Sequence, residues 1–298
     1  MIKNSMALFS LLLCCLLCLP AAAQKPAQKT GNDGLLFKIS GKNMAKPSYI
    51  FGTFHILCPT DMLPMDKFAP FIDQSDQLVM EIDMDDPAEM GAMARGAAIT
   101  DGRTIKDVLT PEQYSKVDGV FTATIGTSVE PLKMLKPAIL SVLIITNPKM
   151  LGCSPASYEL SFVKLASDKK KPILGLETVA FQSQALDSSQ TLEKQAQSLY
   201  DLSKDPQKSV DQLKKLIQVY KEQDVDKLKA AAVDQDKTDP EFDKKLIDDR
   251  NSVWIPKLEA FIKDKPSFIA VGAGHLGGKT GVVELLRAKG YQVTPIHL

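Results

Sequence analysis

The sequence predicts an α/β fold, with a central mixed β-sheet flanked by helices and carrying a helical insertion. Three observations lead there. Short apolar runs of strand length recur along the chain, each bounded by Gly, Pro or polar turn residues. Segments with helical spacing separate most of them. Two of the runs, Tyr49-Ile50-Phe51 and Phe268-Ile269-Ala270-Val271, lead into Gly-x-x-His and end on His55 and His275. Ligands of open α/β sheets bind beyond the carboxyl ends of the strands, so both histidines fall where sites form.

The 298 residues, 44% hydrophobic, suffice for one large domain with an ample core. Lys+Arg and Asp+Glu each number 36, which argues against an electrostatic nucleic-acid binder, and aromatics at 6% argue against a base-stacking platform. Residues 1–23 read as a secretory signal: Lys3, an apolar stretch Met6 to Leu19, then Pro20-Ala21-Ala22-Ala23 before Gln24. Leu17 before Cys18 is not the small residue that lipidation sites carry. The expectation is therefore export, to the periplasm or medium, without a transmembrane span in the mature chain. Residues 24–33 read as a flexible leader. Residues 34–298 then form a single domain, with the helical insertion at about 188–247.

In order, Leu35 to Ser40 and Ser48 to Phe51 form a hairpin across Gly41-Lys42-Asn43, delivering Gly52 and His55. Asp66 to Gln74 has helical spacing. Gln77 to Met84 is a strand interrupted by Glu81; a buried carboxylate needs a partner, either a metal or imidazolium, or an Arg or Lys at the strand end. Helices follow at Pro87 to Ala98, from Thr110-Pro111, at Pro131 to Thr146 and at Ala156 to Ala166. Pro172 to Thr178 is a strand whose Glu177 is either a neighbour of a helix cap or a site residue. Ser188 to about Ala232 carries amphipathic helices. Asp239-Pro240 opens a further helix, on which Arg250 is either an ion-paired surface group or a fork for an anionic substrate group. The last unit is strand Ser267 to Val271, a Gly-rich turn with Gly272, Gly274 and His275, helix Thr280 to Lys289 and strand Tyr291 to Pro295. The third histidine, His297, reads as a terminal surface residue.

Imidazole serves both as metal ligand and as general base near neutral pH, so His55 and His275 are the leading site residues. After signal removal only Cys58 and Cys153 remain. In an exported protein they read as one disulfide, which would fasten the segment after His55 to a distant loop; free thiols, or Cys58 as a metal ligand, are the alternatives.

Taken together, Gly52-Thr53-Phe54-His55, Met80-Glu81-Ile82-Asp83, Gly175-Leu176-Glu177-Thr178, Arg250-Asn251, Gly272 to Gly277, Gly281-Val282 and Gly290-Tyr291 resemble the TraB/PrgY/GumN family, which includes the Tiki metalloproteases. The resemblance spans nearly all of the mature chain. It implies an erythromycin esterase/ChaN-like α/β core with helical additions. It also implies a metal-dependent peptidase whose catalytic and metal-binding residues are His55, Glu81 and His275, with manganese or cobalt as the metal and a peptide or protein as substrate. Glu177, Arg250, Asn251, Gly52, Gly272 and Gly274 become substrate-binding residues or supports of the ligands. Two alternatives stand beside it: a non-catalytic metal, haem or small-ligand binder of ChaN type, and a metal-free esterase-like hydrolase.

Overall fold

The computed structural model describes residues 31–236 and 240–298. The expected signal, the leader up to residue 30 and the Asp239 cap lie outside the described residues. Among those described, six strands form one sheet: β1 Leu36–Ser40, β2 Ser48–Thr53, β3 Gln77–Ile82, β4 Ile173–Glu177, β5 Ser267–Gly272 and β6 Gln292–Ile296. Their spatial order is β4-β3-β5-β2-β1-β6. β4, β3, β5 and β2 run parallel, while β1 pairs antiparallel with both β2 and β6. The sheet is mixed, and the fold is α/β as the sequence predicts.

Every residue of β2 and β5 is buried. This explains their unbroken apolar runs, since inner parallel strands are covered on both faces. Parallel direction has a second consequence. The carboxyl ends of β2, β3, β4 and β5 share one edge of the sheet, with Thr53 opposite Gly272 and Ile82 opposite Glu177 in register.

Between β3 and β4 lie α1 Pro87–Gly96, α2 Pro111–Ile125, α3 Pro137–Ile145 and α4 Tyr158–Asp168. Between β4 and β5 lie α5 Val179–Ser189, α6 Leu192–Lys204, α7 Pro206–Lys221, α8 Val225–Asp236 and α9 Asp249–Asp264; α10 Val282–Ala288 precedes β6. One apolar cluster covers the sheet and takes in Phe51, Phe68, Phe162, Tyr220 and Trp254. A second, away from the sheet, joins Val117, Phe121, Leu140 and Ile144 of α2 and α3 to Ala196 and Leu199 of α6.

Two helix starts differ from the sequence reading. The apolar stretch from Pro131 is not one helix: a 3-10 turn covers Glu130–Leu132, and α3 begins at Pro137 because a residue before proline is driven to extended backbone, here Lys136. α4 begins at Tyr158, because Ala156 forms an isolated bridge with Leu57 and Ser157 caps the helix. At the chain's described start, Arg287 holds the Gly31 carbonyl and the Asn32 side chain.

Candidate functional site

The shared sheet edge gathers the residues singled out from the sequence. His275 sits in a 3-10 turn, Ala273–His275, directly after β5. Glu81 is the penultimate residue of β3 and Glu177 the last of β4. His55 follows β2 by two residues. Arg250 and Asn251 open α9, just past a π-turn at Lys244–Asp248.

Gly272 is the meeting point. A Cβ placed on it would lie 3.2 Å from Glu81 Oε1, 3.4 Å from His55 Nε2 and 3.6 Å from His275 Cδ2. Its own N–H donates to Glu81 Oε1 at 2.8 Å. Glycine leaves that space to the three side chains. Gly52 answers a different need: a Cβ there would stand 2.9 Å from Cα and Cβ of Ala273, so β2 and the turn after β5 could not close together. A Cβ on Gly274 would make an ordinary contact with Ile247 Cδ1 at 3.9 Å.

Each ring is held by its Nδ1. His55 Nδ1 donates to Glu159 Oε1 at 2.8 Å. Asn251 Nδ2 donates to the carbonyls of His275 and Thr280, leaving Asn251 Oδ1 to accept from His275 Nδ1 at 2.7 Å. The Nε2 edges therefore face the interior of the site. His275 is buried, with Trp254 against its ring at 4.3 Å between centroids. The His55 side chain is 64% exposed and forms the open side.

Arg250 organises the carboxylates. Its Nη2 donates to Glu81 Oε2 and Glu177 Oε1, both at 2.6 Å; Nε donates to Glu177; Nη1 donates to the Leu246 carbonyl and, at 3.2 Å, to His275 Nε2. The guanidinium is thus a buried, fully engaged fork, and Glu81 finds its charged partner in Arg250. Glu177 also accepts from Trp254 Nε1 at 2.8 Å, and Gln182 bridges Glu81 and Glu177. Thr178 caps α5, so Glu177 is the neighbour of a helix cap as well as a member of this cluster.

These contacts set the protonation states. Burial pushes the Glu81 carboxyl up, but His275, Arg250, His55 and the Gly272 N–H outweigh it and hold it at about 2. Burial, with Arg250 beside it, pushes His275 down to about 3. The hydrogen bond to Glu159 raises His55 to about 9, an effect that solvent around the exposed ring dilutes. Glu81, Glu159 and Glu177 make three carboxylates. Among the described side chains in direct contact with them, Arg250 is the one permanent cation.

Whether this set suits a metal turns on its donors. Metal-binding histidines hold the other ring nitrogen against a carboxylate, amide or carbonyl, and both rings here do so. Among the described residues, however, no three His, Cys, Asp or Glu side chains are already gathered at ligand spacing. His275 Nε2 lies 3.9 Å from Glu81 Oε1, with Arg250 on its lone pair. Imidazole and carboxylate are donor types that divalent cations take, so the residue types fit such an ion, while their spacing among the described residues does not gather them around one.

Cys58 and Cys153 are bonded, with Cα atoms 5.7 Å apart. His297 lies at the surface, 3.9 Å from Asp33. Further along the Gly-rich turn, the Gly278 N–H is taken by Asp226 Oδ1 at 2.7 Å, and Gly277 packs on the Val225 carbonyl. Sequence reasoning passed over Glu159, Gln182 and the role of Trp254. A signal for Glu159 was present: it lies six residues past Cys153, whose partner Cys58 lies three past His55.

A model of the TraB/PrgY/gumN family matches residues 35–295. None of the curated proteins and none of the solved structures matches the chain.

Proposed function

The chain belongs to the TraB/PrgY/gumN family, and from that premise we propose that it is an exported hydrolase of the peptidase class, dependent on a divalent cation held by His55, Glu81 and His275. The observation that supports this most is the convergence at Gly272, where two Nδ1-anchored imidazoles and Glu81 Oε1 face one point. The excess of carboxylates over guanidinium there favours a further positive charge. Bound in this place, a cation such as manganese or cobalt supplies Lewis acidity toward a water molecule and a scissile carbonyl.

The chain's own residues divide the remaining work. Asn251 and Trp254 fix the His275 ring, and Glu159 fixes His55. Glu81, held at about 2, is a weak base, so it serves as a ligand better than as a proton acceptor. Arg250 has no free donor for substrate; it aligns Glu81 and is itself fixed by Glu177. Buried His275 and Arg250 and the partly buried Glu81 form the floor, and substrate approaches past the exposed His55. Export rests on residues 1–23 and agrees with the Cys58–Cys153 bridge.

A second reading has its own support. The His55–Glu159 pair is a carboxylate–imidazole dyad open to solvent, and Arg250 already fills the His275 lone pair. A metal-free hydrolase would use His55 as its base in the deprotonated form, which the bond to Glu159 delays toward alkaline pH. Peptide hydrolysis by the purified mature protein separates the two. On the first reading EDTA abolishes turnover, manganese or cobalt restores it, and His275→Ala lowers kcat/KM at least a hundredfold. Activity that survives both EDTA and His275→Ala ends the first reading; loss only in His55→Ala establishes the second.

A further inference from the structure

Three ties run in register between the chain leaving β2 and the segment leading into α4. Thr53 Oγ1 and His55 Nδ1 both donate to Glu159 Oε1, at 2.5 and 2.8 Å. Leu57 and Ala156 exchange both backbone hydrogen bonds, at 3.1 and 2.7 Å. Cys58 and Cys153 close the run covalently. Positions rise on one side as they fall on the other, so residues 153–159 lie as an antiparallel splint along the His55 loop. Ser157 completes the end of the splint, capping α4 and donating to Glu159 Oε2 at 2.6 Å.

The two imidazoles depend on their supports unequally. His275 is wedged in the core by Trp254 and would keep its place by packing. The His55 side chain is 64% exposed, so packing does not fix it and the bond to Glu159 must. Glu159 in turn stands where it does because its segment is fastened to the same loop.

We propose that Glu159 is the positioning residue for His55, and that the Cys58–Cys153 bridge holds the Glu159 segment so that the site is fully assembled only with the bridge closed. This rests on His55 serving the site described above. Opening the bridge is a two-electron exchange. Dithiothreitol delivers two electrons and two protons, the Sγ–Sγ bond breaks to two thiols, and the reductant closes into its own cyclic disulfide.

The test uses the full mature chain and two readouts. The first is the order parameter of the His55 ring C–H bond in metal-free protein, assignable because the chain has only three histidines. The second is the affinity for manganese alone, by electron paramagnetic resonance. Glu159→Ala is expected to free the ring and weaken manganese binding about 10–100-fold. Glu159→Gln, which keeps an acceptor oxygen, should stay within a few-fold of the parent. The Cys58→Ser/Cys153→Ser protein should move both readouts in the direction of Glu159→Ala, and reduction of the parent should loosen the ring alike, even should Glu159→Ala fold poorly. Unchanged ring order and affinity in Glu159→Ala, or in the bridge-free protein, overturns the proposal. A parent that binds no manganese, yet whose ring order follows Glu159 and the bridge, would retire the metal reading and leave the positioning role standing.

Discussion

Glu177 shows how much a single side chain can hold in this site. Its carboxylate is buried at the end of β4 and accepts from Nε and Nη2 of Arg250 and from Trp254 Nε1. Removing it leaves Arg250 Nε and Trp254 Nε1 as buried donors without an acceptor, while Glu81 still balances the Arg250 charge. Glu177→Ala should therefore cost about 3 kcal/mol, read as a lower urea midpoint at constant slope. Glu177→Gln keeps two acceptor lone pairs and should cost less. Asn251→Ala should cost about 1–3 kcal/mol, because it orphans the buried His275 Nδ1–H along with two carbonyl contacts. Losses below about 0.5 kcal/mol in both variants would mean that the polar cluster is not structural. At this scale the sequence was informative where a residue broke a pattern. Glu81 interrupts an apolar strand, and His55 and His275 each follow a buried run. It was silent where a residue fits its surroundings: Glu159 and Gln182 sit in first helical turns, where polar side chains are ordinary.

Strands were the most legible elements, because the parallel inner strands demand continuous apolar residues and the chain supplies them. Helix starts were less so. Lys136-Pro137 was a readable stop, yet the apolar residues on either side obscured it. The π-turn before α9 was not readable at all, since an i→i+5 pattern leaves no residue signature. It frees the Leu246 carbonyl to accept Arg250 Nη1, with Arg250 and Asn251 both directed at the His275 side of the sheet. The glycines at the strand ends give an element-scale prediction with an internal control. Gly52→Ala presses a methyl group against the turn after β5 and should cost about 1–3 kcal/mol. Gly274→Ala makes an ordinary contact with Ile247 Cδ1 at 3.9 Å and should stay within about 0.5 kcal/mol of the parent. Gly272→Ala puts its methyl group where Glu81, His55 and His275 converge, at contacts of 3.2 to 3.6 Å. It should weaken manganese binding at least tenfold with a smaller loss of stability than Gly52→Ala. Equal stability losses at Gly52 and Gly274 would refute the packing argument.

For the whole molecule, the same groups that build the site also set how stability follows pH. In metal-free protein the carboxyls of Glu81 and Glu159 are held at about 2, against 4.5 when free. Their contribution is present above pH 4.5 and is lost as pH falls toward 2. His275 is held at about 3 against 6.5, so between these values the unfolded chain binds a proton that the folded one refuses. Stability therefore falls as pH drops below 6.5. His55 runs the other way: raised to about 9, it stabilises fully below 6.5 and loses that contribution as pH rises through 9. Because its ring is largely exposed, this alkaline limb is shallow. All four groups agree on one window, with greatest stability near pH 6.5 and a steeper decline on the acid side. Denaturant unfolding of chelator-treated protein at pH 4, 6.5 and 9 checks the shape, and His55→Gln should flatten the alkaline limb alone. The disulfide acts on the curve in two ways: it closes a loop of 95 residues, so Cys58→Ser/Cys153→Ser should lower stability at every pH by about 4–5 kcal/mol, and by loosening the His55–Glu159 pair it should also flatten the alkaline limb. A stability maximum at pH 9, or an alkaline limb indifferent to His55→Gln, would show that the His55–Glu159 pair does not form in solution.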